Sequence, residues 1–347
     1  MKNKEKIGFM CAYTPLALID AAGYAPYRIL PSEACEDRAG HLLHDNLCPN
    51  IKKILDRALA GDVPDLAGVV FVNSCDAMRR LADAWQHVRK DDRIIWIDLP
   101  SSIDAMAHAY VQGQVEQMGR TLLSWSGSPM DPMAVEKSIT SFNRICAHLS
   151  ELAPAFASGA IPGGYAAMQA LYNKASTRDF TTTLEEIEPM PGKTPAPKHD
   201  AVPVYLFGNV LPDPKAFDMF ESCGAMIADA DFCTGSRLFS PVTGGQKDVY
   251  SRLTSHLMTK PQCARSFDPA LPGEIAKTTL SRARAVNAAG VIGHVIKFCD
   301  PYLERLPGIR EHFKKNNMPL LILEGDCTLR SMGQQRTRIE AFIEMLM

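Results

Sequence analysis

Gly290-Val-Ile-Gly-His-Val-Ile-Lys-Phe-Cys-Asp-Pro301 is the stretch whose reading decides the fold. Val291, Ile292, Val295 and Ile296 make an apolar, β-branched run of strand length. Pro301 stops both ladder pairing and helix start. A buried strand thus delivers a thiol, Cys299, to the end of a sheet, and in open α/β sheets ligands bind at the carboxyl ends of the strands. The chain repeats the gesture at Gly68-Val-Val-Phe-Val-Asn-Ser-Cys75-Asp76. A single cysteine is most often a small core residue. Two of them at equivalent strand ends, each followed by Asp, argue for a shared task.

Totals narrow the class. With 347 residues the chain has length for two domains with their own cores. Its 46% hydrophobic and 22% charged content is that of an ordinary globular protein. A net charge of −2 gives no electrostatic footprint for nucleic acid or an anionic membrane. No apolar run reaches the roughly 18 residues of a transmembrane helix. Lys2, Lys4 and Lys6 precede an apolar stretch that superficially resembles a secretory signal, but Tyr13-Thr14-Pro15 interrupts it and no small-x-small site follows. A first strand and helix, in a cytoplasmic protein, is the better expectation. Ten cysteines without a C-x-x-C exclude zinc ribbons, thioredoxin-like pairs and ferredoxin-type binding runs. Any metal site must be assembled from distant strand ends.

Strands and helices alternate over residues 1–101. Strands are expected at 6–12, 27–30, 69–72 and 94–97, with helices between them, which implies a parallel, doubly wound sheet. Cys48-Pro49 falls inside the helical stretch 41–60. Pro49 is better placed in the first turn of a new helix, leaving Cys48 at its N-terminus, where the dipole favours a thiolate. Residues 102–175 read as a helical subdomain (helices 102–126, 132–157 and 165–175), and 176–200, with four prolines, as a linker. The alternation restarts in 201–347, with strands at 202–207, 226–228 and 320–324 and a last helix at about 334–347. Gly8, Pro15 and Gly23 are echoed by Gly208, Pro212 and Gly224, and Cys48 and Cys75 by Cys263 and Cys299, a weak internal duplication. The fold class expected is α/β, two doubly wound flavodoxin-like domains with parallel sheets plus the helical part.

Familiar chemistries are missing. There is no G-x-x-x-x-G-K-[ST], no G-x-G-x-x-G after a strand and no G-x-S-x-G elbow. His44 and Cys48, four residues apart, are half a metal site at most. His294 inside its apolar strand reads as a hydrogen-bonded core histidine. Arg79 and Arg80 read as partners of neighbouring acids on a solvated helix face.

The cysteine constellation remains. Leu47-Cys48-Pro49, then Asn73-Ser74-Cys75-Asp76 with Arg79, Arg80 and Trp85, then Lys297-Phe298-Cys299-Asp300-Pro301-Tyr302 stand in an order that resembles the 2-hydroxyacyl-CoA dehydratase/benzoyl-CoA reductase family. Asp231-Phe-Cys-Thr-Gly-Ser-Arg237 and the tail Gln334-Gln335-Arg336-Thr337-Arg338-Ile339-Glu340-Ala341-Phe342 add to the likeness, which spans nearly the whole chain.

The resemblance implies a [4Fe–4S] cluster between two α/β domains, held by Cys48, Cys75 and Cys299. Three thiolates would leave one iron open, and a site walled by two domains can be kept dry. Asp76 and Asp300 are expected to turn away from an anionic cluster, towards backbone N–H groups. It also implies a homologous or identical second subunit and a separate ATP-hydrolysing iron–sulfur activator. The reaction it implies is elimination of water from a 2-hydroxyacyl-CoA through a ketyl radical. The alternative is a reductase of the same family, either benzoyl-CoA reductase-type or a double-cubane [8Fe–9S] enzyme acting on another small molecule. A second cubane would draw on Cys233, in Phe232-Cys-Thr-Gly235, and Cys263, in Lys260-Pro-Gln-Cys-Ala-Arg265. A cluster-free assembly partner is the third reading. Arg336 and Arg338 on the last helix have two readings, a solvated face or a grip on a substrate phosphate or carboxylate.

Overall fold

The computed structural model describes residues 4–32, 34–127, 131–191, 201–245, 248–268, 270–326 and 332–347. The N-terminal part runs β1 (Lys6–Phe9), α1 (Leu16–Ala21), β2 (Ala25–Arg28), α2 (Pro49–Leu59), β3 (Gly68–Val72), α3 (Asp76–Val88) and β4 (Ile94–Ile97). Four helices follow: α4 (Ala105–Ser126), α5 (Pro132–Ala157), α6 (Gly164–Ser176) and α7 (Phe180–Ile187). The C-terminal part comprises β5 (Val202–Gly208), α8 (Pro214–Ser222), β6 (Ala225–Asp231), α9 (Val249–Thr259), α10 (Glu274–Ala285), β7 (Gly290–Ile296), α11 (Asp300–Lys315), β8 (Leu320–Gly325) and α12 (Met332–Leu346).

Each part holds a four-stranded parallel sheet, ordered β2-β1-β3-β4 and β6-β5-β7-β8. These are the same order counted within each part, as two related doubly wound, flavodoxin-like domains require. The duplication is also visible in the backbone. Gly23 and Gly224 close α1 and follow α8 at φ +88 and +89, the left-handed conformation glycine adopts without a Cβ penalty, and each leads into the second strand of its sheet. The central strands β3 and β7 are buried along their whole length, hence their unbroken apolar runs.

Pro49 does open α2, with Cys48 as its N-cap; Pro301, expected to stop a helix, instead stands in the first turn of α11, where its missing N–H costs no helical bond. Five other helices (α4, α5, α7, α8 and α9) start at an Asp whose carboxylate accepts a backbone N–H of the first turn. Two differences from the sequence reading stand out. Within the expected linker 176–200, Phe180–Ile187 forms helix α7, whose Phe180, Thr183, Leu184 and Ile187 are buried, with the Phe180 ring against Phe142 of α5. Prolines in the same window masked its short apolar stripe; residues 192–200 lie outside those described. Nor are helices α4–α7 set apart from the sheets. Val111, Val115, Ile145, Leu149 and Met168 share one continuous core with Phe9 and Ile97 of the first sheet and Val204 and Leu206 of the second. Smaller cores lie under α2 and α3 and under α10 and α11. Among the described residues no helix is long and apolar enough to cross a membrane.

Gly208 is a point of backbone contact: a Cβ there would stand 2.0 Å from the His294 carbonyl oxygen. Gly208→Ala must push β5 from β7, and the urea-unfolding midpoint should report a loss of roughly 1–3 kcal/mol. His294 itself is 3% exposed, with Nδ1 unpartnered. Burial lowers its pKa to about 4, and that of His256, also buried, to about 3. Unfolded histidine titrates near 6.5, so between that value and about 4 the unfolded chain binds the extra proton. The stability held by neutral His294 is therefore complete above pH 6.5 and lost as pH falls towards 4, by roughly 3 kcal/mol. Unfolding curves at pH 7 and pH 5 should show the slope, and His294→Gln should flatten it, leaving the share of His256.

Candidate functional site

The two sheets present their C-terminal edges to each other, and the chain leaves those edges at cysteines. Cys11 lies two residues beyond β1, Cys75 three beyond β3, Cys233 two beyond β6 and Cys299 three beyond β7. Cys48 and Cys263 stand in the crossovers that join the second and third strands of each sheet. All six line one inner chamber of about 110 Å³, walled also by Met10, Ile51, Met78 and Ile296. Cys48, Cys75 and Cys299 also line the wider mouth outside it, about 460 Å³, with Asn73, Asp76, Asp98, Arg79, Asp300 and Arg305. The three cysteines expected as co-ligands are therefore brought together, and Cys233 and Cys263 join them. No three of the described His, Cys, Asp and Glu side chains converge tightly enough for a single metal ion. The thiols instead surround a space.

Cys48, Cys75 and Cys299 are the N-caps of α2, α3 and α11, and none makes a side-chain capping hydrogen bond. These helices start at the thiols without the N-cap carboxylate that caps five other helices. The amides of Met78 and Tyr302 face the sulfurs of Cys75 and Cys299. Phe298, 42% exposed, leads into Cys299 in the left-handed conformation, φ +58. Asp76 does not turn to backbone amides as expected; its carboxylate pairs with Arg79 at 3.1 Å and Arg80 at 3.4 Å on its own helix.

The deeper wall is cationic. Arg237, 1% exposed, donates from Nε to Asp231 Oδ1 at 3.0 Å, from Nη1 to Cys233 Sγ at 3.2 Å and from Nη2 to Tyr302 Oη at 3.3 Å. Arg282 holds the far side of Asp231 at 3.4 Å and Asp229 at 3.1 Å. Arg28 donates from Nη1 to the Cys233 carbonyl, and Lys260 Nζ to the Ala12 carbonyl at 2.8 Å. Segment 260–267 stitches the domains together. Arg265 donates to the carbonyls of Ser74, Leu99 and Pro100 at 2.7–3.1 Å, Ser266 Oγ meets Tyr13 Oη at 3.0 Å, and the Phe267 amide donates to Ser101 O at 2.9 Å.

These surroundings divide the thiols. Burial raises the pKa of Cys75 to about 11, and also raises those of Cys11 and Cys299. Cys233 is lowered: a hydrogen bond from the Cys263 thiol, then Arg237 and Arg28, outweigh its burial. Cys263, which gives that hydrogen bond, is raised accordingly. As a donor set, soft thiols around one recessed chamber suit iron and sulfide, and a metal would displace the remaining protons.

The other candidates lie elsewhere. Arg336 pairs with Glu340 at 2.8 Å on the surface, and Arg338 donates to the Ile322 carbonyl at 2.8 Å; neither lines the chamber or its mouth. Helical phase made them look like a polar face over the cleft, but α12 packs on β8 and α8. His44 is exposed, its Nδ1 accepting from the Asn46 amide. Arg79 and Arg80 pair with Asp76 and Asp83 as expected. Cys11 is the residue the sequence reading missed. Its signal, a thiol just past the first strand, was there to be read.

The family model described as 2-hydroxyglutaryl-CoA dehydratase, D-component, matches residues 11–346. The chain is 23% identical to the (R)-phenyllactyl-CoA dehydratase beta subunit of Clostridium sporogenes, over 99% of this chain and 92% of that one. It is also 23% identical to the beta subunit of lactoyl-CoA dehydratase from Anaerotignum propionicum, with the same coverage of each. A benzoyl-CoA reductase subunit of Thauera aromatica is 21% identical, over 92% and 85%.

In metal-free protein Cys233 should be a thiolate at neutral pH, whereas Cys11, Cys75, Cys263 and Cys299 hold their protons. Thiolate absorbance near 240 nm should show about one equivalent at pH 7 that Cys233→Ser removes, with Cys75 appearing only towards pH 11. An unchanged spectrum in that variant would refute the assignment.

Proposed function

The chain belongs to the 2-hydroxyglutaryl-CoA dehydratase D-component family, and on that premise we propose that it is an iron–sulfur reductase component whose double-cubane [8Fe–9S] cluster is held by Cys11, Cys48, Cys75, Cys233, Cys263 and Cys299. One observation carries this reading: six thiols from both halves of the chain line a single inner chamber. Two linked cubanes need six thiolates, whereas one cubane on Cys48, Cys75 and Cys299 would leave three more sulfurs in the same wall without a task. When bound, such a cluster supplies electrons singly and at low potential, tuned by charge and hydrogen bonds around its sulfurs.

The protein's own residues do the rest. Met10, Ile51, Met78 and Ile296 exclude water from the chamber, which strengthens every electrostatic interaction inside it. Asn209 fixes the tip of β7: its side-chain oxygen accepts from the Ile296 amide at 3.1 Å, and its amide faces the Cys299 sulfur. The mouth takes the substrate, a small molecule or the acyl end of a thioester, against Asn73, Ser74 and Ser101. The electron comes from a separate ATP-hydrolysing iron–sulfur protein, and a second subunit, homologous or identical, makes up the rest of the enzyme.

A second reading has its own support. Cys48, Cys75 and Cys299 alone are helix N-caps and alone line the mouth. A single [4Fe–4S] cluster on these three would make the protein a 2-hydroxyacyl-CoA dehydratase component, as the names of two relatives suggest.

Iron and sulfide analysis of anaerobically prepared protein separates the two. The double cubane gives about eight irons per chain, the single cluster about four. Cys11→Ala and Cys263→Ala should each lower the count towards half, whereas Cys146→Ala, in the α5 core, should leave it intact. About four irons, unchanged in both variants, would return the protein to the dehydratase reading. An activator-coupled assay with ATP and a panel of 2-hydroxyacyl-CoA thioesters then tests that reading directly.

A further inference from the structure

The charges around the chamber are unevenly placed. Arg237 is neutralised within the protein by Asp231, itself shared with Arg282. Arg28, 2% exposed, and Lys260, 5% exposed, form no ion pair among the described residues. Arg28 meets the Cys233 carbonyl and the face of the Phe9 ring, 6.0 Å from its centroid; Lys260 meets the Ala12 carbonyl and the Tyr13 ring at 5.6 Å. The thiols that act on Arg28 are Cys233 and Cys11, and both also act on Lys260. Two buried cations without an anion are costly, and a protein keeps them where an anion arrives.

The opposite side is solvated and mixed in charge: Asp76, Asp98, Asp300 and Glu304 line the mouth together with Arg79, Arg265 and Arg305. Cys75 and Cys299 are followed at once by Asp76 and Asp300, which open their helices and line the mouth. The six thiols thus divide into an inner trio, Cys11, Cys233 and Cys263, of which Cys11 and Cys233 lie by the buried, unpaired Arg28 and Lys260, and an outer trio, Cys48, Cys75 and Cys299, at a solvated mouth where acids and arginines offset one another.

We infer that Arg28 and Lys260 are positioning residues for charge: they are the built-in counter-ions of the inner trio, and they hold on that side the first electron a reductant delivers. This rests on the six-thiolate reading. With Ti(III) citrate as donor, one Ti(III) is oxidised to Ti(IV) and one ferric site beside the inner trio is reduced to ferrous, with no bond made or broken. The outer half, at the mouth, is then the harder to reduce and the one that meets substrate. The two halves have separate tasks, storage within and delivery at the mouth.

The test is an anaerobic redox titration of the full chain with Ti(III) citrate, followed by electron paramagnetic resonance, with iron measured on every sample. Arg28→Gln keeps a donor for the Cys233 carbonyl and removes the charge. It should retain about eight irons and move the first reduction to more negative potential, while Arg28→Lys stays near the parent. Lys260→Gln should move the first reduction the same way, which covers the case in which Arg28→Gln fails to fold. Asp300→Asn, on the outer side, should instead move the second reduction to less negative potential, by a smaller amount because it is exposed. A first midpoint unmoved in both Arg28→Gln and Lys260→Gln at full iron content overturns the inference and leaves the six-thiolate reading standing. Equal movement of both midpoints in every variant does the same. About four irons in the parent protein overturns the six-thiolate reading, and the inference with it.

Discussion

The grip of segment 260–267 on the N-terminal domain is the constraint on which the site depends. One guanidinium, that of Arg265, is spent on three backbone carbonyls at the ends of β3 and β4. Lys260, Ser266 and Phe267 bind the same edge within eight residues. Loop carbonyls beyond a parallel sheet have no ladder partner and must be satisfied by something. Here they are satisfied across the domain boundary, so folding the second domain completes the hydrogen bonding of the first. The distance between the sheet edges, and hence the size of the chamber, is set by these short bonds rather than by a hinge.

Helices α4–α7 make the same geometry rigid from the far side. Their apolar faces merge the two α/β units into one core, with α5 lying against α1 of the first unit and β6 of the second. A rocking motion that opened the cleft would have to break this core, at roughly 25 cal/mol for each Å² of apolar surface exposed. The chamber is therefore preorganised, which suits a polynuclear group whose ligands must all be in place together.

Electrostatics inside the chamber follow from the burial of its deeper wall. The ion-pair chain Asp229–Arg282–Asp231–Arg237 ends on Cys233. It carries a fixed positive end into the wall without leaving the intervening charges unpaired. Arg28 and Lys260 add charge there that nothing in the described protein neutralises. The helix N-termini on the opposite wall offer only partial charges, and solvent at the mouth screens them. The same six side chains thus sit in two dielectric environments.

The sequence by itself determined most of the strands and several of the helix starts. Unbroken β-branched runs gave β3 and β7; Cys48-Pro49 located a helix start; strand–helix alternation dictated two parallel sheets, and a cysteine just past a strand end is at the ligand edge of such a sheet by geometry alone. All of that is local, set by side-chain period and by the missing proline N–H. What the tertiary structure decided is everything that depends on two distant segments meeting. Arg28 and Cys233 are 205 positions apart, and no periodicity relates them. Cys11 looked like any thiol after a first strand until the second sheet closed over it. Arg338, which reads equally as a solvated side chain or a grip on substrate, donates to a carbonyl of β8. Helix α7 was hidden because prolines report where backbone bonds cannot form, whereas its stability comes from burial against α5, a partner the local sequence does not name. Local sterics write the strand ends into the chain, but which ends face each other is fixed by packing, and packing is a property of the whole.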